Sequence, residues 1–139
     1  GIINFIIVLT LLGGCSTMYL SNTEMGKDEK AARTFRKIDE EFNVIDIEKV
    51  ECNEITCFFS DGRHVTLEGG KEFFLYKTNN KDWVEHSINY YKKRNNEVEY
   101  VPGVGKYKYE DLGWYLLKSN DTLTDEEFDR IIKLIINEL

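Results

Sequence analysis

Histidine is nearly absent from this chain, with only His64 and His86 among 139 residues, and that scarcity narrows the chemistry it can host. The sequence holds no G-x-S-x-G, H-E-x-x-H, P-loop or paired-cysteine metal signature, so it offers no catalytic residue, no metal site and no cofactor. The best enzymatic constellation sets His64 beside Asp61 or Glu68 as an orienting carboxylate. On one strand face His64 and Glu68 stand two steps apart, about 13 Å, which is too far for a hydrogen bond. "PGVGKYK" has two glycines but not the spacing or strand-to-helix context of a phosphate loop, and reads as a turn. Excess positive charge is also lacking: 18 Lys and Arg stand against 25 Asp and Glu, for a net charge of −7. That balance argues against nucleic acid and anionic lipid surfaces, which need clustered cations, and suits a basic protein partner.

No apolar run is long enough to span a bilayer, which takes roughly 20 residues. The longest, "GIINFIIVLTLLGG", carries no charge and fits the shorter apolar core of a secretory signal, which is about 7 to 15 residues and ends in small side chains. A starting Met and the basic residues expected ahead of the run are missing, so the reading frame is expected to begin earlier. Leu12, Gly13, Gly14 and Cys15 resemble the lipobox of bacterial lipoproteins. The resemblance covers the first 15 residues and implies cleavage before Cys15, whose thiol and new amino group then carry lipid. Two or more acyl chains anchor stably, at about 0.8 kcal/mol per buried CH₂. Ser16, where an Asp would signal retention, points by the same resemblance to a periplasm-facing outer-membrane location.

With Cys15 lipidated, Cys52 and Cys57 remain, and an even pair in an exported protein is most simply a disulfide. The spacing is wrong for a redox C-x-x-C pair, and a structural zinc would need two more ligands nearby. In the loop-entropy account so small a ring is worth about 2 kcal/mol.

The expected organisation is a signal peptide over 1–14, a lipidated tether over 15–26 and a single domain over 27–139. Ala31, Phe35, Ile38 and Phe42 stripe one face of a helix over 27–42. "VIDIEKVEC", "ITCFF", "HVTLE" and "KEFFLYK" then read as strands. Between the second and third, a three-residue loop Ser60-Asp61-Gly62 with a left-handed Gly62 would pair Phe59 with Arg63, Cys57 with Val65 and Ile55 with Leu67, giving one apolar face. That register places His64 opposite Phe58. "DWVEHSINYYKKRNN" is read as a helix, with Asp82 and Glu85 resembling a capping box. "EVEYV" precedes the breaker Pro102-Gly103, and "KYKYE" with "GWYLLK" forms a second antiparallel pair. Thr124 and Glu127 form a capping box ahead of the stripe Phe128, Ile131, Ile132, Ile135 and Leu139. The expected fold class is α+β, a small antiparallel sheet packed on one side by N- and C-terminal helices.

Six of eight tyrosines fall between residues 90 and 115 with Trp114, interleaved with Lys92, Lys93, Arg94, Lys106 and Lys108. Tyr107 and Tyr109 on one strand share a face. This is either a binding strip of Tyr100, Tyr107, Tyr109, Trp114 and Tyr115 or an ordinary sheet cover with wet hydroxyls. Glu97, Glu99, Glu110 and Asp111 are the acidic candidates beside it. The function expected is therefore an envelope-anchored binding protein, first an inhibitor or immunity-type protein that blocks another protein. The alternative is an accessory or adaptor lipoprotein of an envelope assembly, or a peptidoglycan-binding module that stacks sugars on its aromatics.

Overall fold

The structure, a computed structural model, describes residues 29–50, 59–97 and 106–139. The leader, Cys15, Cys52, Cys57, Glu99, Tyr100 and the Pro102-Gly103 breaker lie outside the described residues, as do the expected pairings of Ile55, Cys57 and Phe58.

Chain order is helix α1 (Glu29–Phe42), strands β1 (Val44–Lys49), β2 (Asp61–Leu67) and β3 (Lys71–Lys77), helix α2 (Asp82–Glu97), strands β4 (Lys108–Asp111) and β5 (Tyr115–Ser119), and helix α3 (Asp125–Glu138). The strands form one antiparallel sheet in the order β1-β2-β3-β5-β4. The fold is α+β, as the patterning implied. The α1 stripe and Phe128, Ile131 and Ile135 of α3 bury against one sheet face with Val65, Leu67, Phe73, Leu75 and Leu117. Each such side chain contributes about 1.5–3 kcal/mol on full burial. Across the seam Arg33 and Lys37 pair with Glu138, and Arg130 with Glu41. These are exposed pairs of small individual worth.

Helix ends follow side-chain chemistry. Asn43 stops α1 in the left-handed region (φ 58°), with its N–H donating to Asp39 O at 2.9 Å while the Asp39 carboxylate accepts from Val44 N–H at 2.8 Å. The Thr124–Glu127 capping box at α3 is formed in both directions. At α2 the expected Asp82–Glu85 box is replaced: Asn80 Oδ1 accepts from the Asp82 N–H at 3.0 Å, which places the cap before Asp82. Glu97, the first residue of "EVEYV", ends this helix.

The Ser60-Asp61-Gly62 hairpin does not form. Asp61 and Gly62 belong to β2, and both sides of that strand are taken: Arg63 pairs with Lys49 and Leu75, Val65 with Ile47 and Phe73, and Leu67 with Val44 and Lys71. The partners expected at Phe59 and Cys57 are thus supplied by β1 and β3. The turn lies instead at Glu68-Gly69-Gly70, where Gly69 (φ 87°) and Gly70 (φ 76°) adopt the conformation expected of Gly62. Gly62 serves packing, since a Cβ there would lie 2.8 Å from Tyr76 Cδ1 and 3.3 Å from Val50 Cβ. Asp61 and Arg63 pair with each other on the α1–α3 side, both fully buried.

Candidate functional site

The second face of the sheet is covered by α2 through Val84, Ser87 and Tyr91, spaced to lie on one helix face. Beneath them sit Phe59, Tyr76 and Leu116. Strand alternation and the register place one residue from every strand in a single row on this face: Glu48, His64, Phe74, Lys118 and Tyr109, each opposite the next.

Side chains of the row interact in sequence from Glu48 to Lys118. His64 Nε2 lies 2.9 Å from Glu72 Oε1 and its Nδ1 3.8 Å from Glu48 Oε2, so one imidazole bridges carboxylates of β3 and β1. Its ring stacks on Phe74 at 4.3 Å between centroids and 9° between planes. His64 is therefore correctly placed away from Asp61 and Glu68. Its carboxylate partners are Glu72 and Glu48, which stand near it only once strands pair, and sequence separation hides them.

Beyond Phe74, the Lys118 Nζ lies 4.4 Å from the phenyl centroid, 4.6 Å from that of Tyr107 and 5.8 Å from that of Tyr91. The Arg94 guanidinium lies over the same Tyr107 ring at 3.9 Å. Among the described residues no carboxylate makes an ion pair with Lys118. Burial, then the Arg94 charge, pushes the Lys118 amine down to about 8, while Glu72 acts in the opposite sense. Burial likewise pushes the Tyr76 phenol up to about 12 and holds the Tyr91 phenol well above its ordinary value, with neighbouring tyrosines adding to both.

Asn95 fixes Tyr107 in this cluster. Its Oδ1 accepts from the Tyr107 N–H at 2.8 Å and its Nδ2 donates to the Tyr107 carbonyl at 3.0 Å, a two-point clamp like that of a neighbouring strand. Tyr107 meets Tyr91 edge-on at 5.1 Å, and Tyr109 lies 5.9 Å from Tyr91. Both are half-buried against the second core.

The expected strip is therefore divided. Tyr107 and Tyr109 join the inner cluster, and their ring surfaces are engaged by Tyr91, Arg94 and Lys118. Tyr115 is buried on the other face, among the α1 and α3 contacts, with Lys77 Nζ 5.0 Å from its ring centroid. Trp114 is 48% exposed in the β4–β5 turn, with Lys81 Nζ 4.7 Å from its centroid. Glu110 and Asp111 are exposed on β4, an edge strand, where charge also blocks edge-to-edge pairing. Asp111 further accepts from the Gly113 N–H at 2.8 Å, which shapes the turn that presents Trp114. Glu97 is exposed at the far end of α2.

Among the described residues no group of three or more His, Cys, Asp or Glu could hold a metal ion, and no helix is long and apolar enough to cross a membrane. Comparison with protein-family models, curated proteins and solved structures finds no match to this chain.

Proposed function

We propose that this chain is an envelope-anchored bacterial lipoprotein, held by acyl chains on Cys15, that binds and blocks another protein in the manner of an inhibitor or immunity protein. The observation that carries the reading is the β4–β5 turn, where a half-exposed Trp114 stands next to the exposed carboxylates Glu110 and Asp111. A large exposed aromatic flanked in sequence by acidic side chains, with the Lys81 ammonium over its ring, is the composition of a binding anchor. Its acidity, within a chain of net charge −7, calls for a basic partner. The sugar-stacking alternative draws less support, because the rings of Tyr107 and Tyr109 are engaged within the molecule and Tyr115 is buried.

The test is capture by the full chain in detergent from envelope extract and secreted proteins. Recovery of a basic hydrolase or toxin with loss of its activity supports the reading, provided that Trp114→Ala weakens capture by about tenfold or more without lowering Tm. Glu110→Lys should slow association and flatten its salt dependence. Recovery of peptidoglycan or a stable envelope complex would move the function to the adaptor class. Loss of membrane association in Cys15→Ala checks the anchor separately.

A further inference from the structure

We infer, on the basis of the Cys15 anchor proposed above, that the outward face of α1 docks on anionic phospholipid and lays the domain on the bilayer that holds the anchor. Between residues 30 and 37 the buried side chains Ala31, Thr34 and Phe35 face the core, and Ala32 packs against it from the flank. The remaining positions, which face outward, are Lys30, Arg33, Arg36 and Lys37, so each of them carries a cation. Helix α3 runs antiparallel beside α1, since Arg33 and Lys37 meet Glu138 and Glu41 meets Arg130. Between those contacts α3 exposes a further cation, Lys133.

The carboxylates of this layer are either shared or placed at its margins. Glu138 serves both Arg33 and Lys37, which still keep 44% and 45% of their side-chain surface exposed. Glu41 is taken by Arg130, Glu29 and Glu40 bracket the run of cations, and Asp125, Glu126 and Asp129 lie toward the opposite end of α3. Among the described residues neither Arg36 nor Lys133 makes an ion pair. A net charge of −7 hides this segregation, which supplies the clustered cations that the overall balance lacks. At 1.5 Å per residue the run from Lys30 to Lys37 is about 10 Å long, close to the Debye length of about 10 Å at 0.1 M salt, so its charges act on a surface together.

Chain connectivity and charge together select the occupant. Residues 16–28 join Cys15 to the first turn of α1, and a stretch of that length reaches at most about 45 Å. An acylated Cys15 therefore keeps α1 at an effective concentration of bilayer surface on the order of millimolar, where a weak contact suffices. Each Lys or Arg held near an anionic membrane strengthens that contact about fivefold. The sheet lies between α1 and α3 on one face and α2 on the other, so docking through α1 turns α2 away from the bilayer.

The experiment places the full chain on vesicles of phosphatidylcholine, alone or mixed two to one with phosphatidylglycerol, and maps lysine acetylation by a membrane-impermeant reagent through peptide mass. With phosphatidylglycerol, labelling of Lys30, Lys37 and Lys133 should fall at least about fivefold, while the exposed Lys92 and Lys93 of α2 label as before. High salt should restore labelling. Arg36→Gln should lower the ratio of covered to uncovered chain about fivefold without changing Tm, because Arg36 is exposed. Equal labelling in the two kinds of vesicle would overturn the inference, as would equal protection of Lys92 and Lys93. Protection that arises in detergent and grows with chain concentration would assign the face to a second copy and overturn it as well. Acyl mass on the Cys15 peptide, read in the same digest, tests the anchor. A chain without acyl groups meets the same contrast at millimolar lipid, so the anchor and the docking face fail separately.

Discussion

Lys118 lies directly across β3 and β5 from Phe74, with its Nζ 4.4 Å from the phenyl centroid. The pairing sets an ammonium among rings, and stability should register it. In the unfolded chain a lysine titrates near about 10.4, whereas folded Lys118 titrates near 8. Between those values the unfolded state holds the proton and the folded state does not, so stability rises with pH. Tyr76 and Tyr91 act in the other direction. Their phenols are raised on folding, so their contribution is complete below about 10 and is lost as pH rises beyond it. Thermal melts should therefore show the unaltered chain gaining on Lys118→Met between about pH 8 and pH 10. Parallel curves would contradict the burial of the amine.

Gly62→Ala should cost about 1–3 kcal/mol, because the added methyl meets Tyr76 Cδ1 at 2.8 Å and Tyr76 is itself wedged against Phe59 at 4.9 Å. Urea unfolding measures this, and restoring room with Tyr76→Leu should make the two changes non-additive.

Asn43 tests the end of α1. Asn43→Val should destabilise by about 1–2 kcal/mol, since a β-branched residue resists the left-handed backbone. Asn43→Gly keeps that backbone and loses only the bond from Nδ2 to Glu68, so its melting temperature should stay close to that of the unaltered chain.

Asn95→Ala removes both halves of the clamp on Tyr107 and should cost about 1–3 kcal/mol. Hydrogen exchange at the Tyr107 amide should accelerate more than at Leu75 in the sheet centre. Uniform acceleration would mean that the clamp acts on the whole fold rather than on this segment.

The Gly69-Gly70 pair was the available signal for the true hairpin. A turn there sets His64 opposite Phe74 and brings Glu72 near it. The Asp61-Gly62 pair competes with it because both dipeptides favour turns locally, and local preference is blind to the neighbours of a strand. What excludes the Asp61 turn is tertiary: β1 and β3 occupy both sides of β2, and Tyr76 fills the space a side chain at Gly62 would need.

By itself the sequence determined the two terminal helices, the Thr124–Glu127 cap, the pairing of β4 with β5 and the α+β class. Each is written in spacings within one element, where 3.6-residue and two-residue periods act over a few positions. The row Glu48, His64, Phe74, Lys118 and Tyr109 was decided only by tertiary structure, because its members come from five strands and meet through backbone register. So was the division of the tyrosines: Tyr115 turns to one core and Tyr107 to the other, which alternation along β5 and the Asn95 clamp settle and composition leaves open.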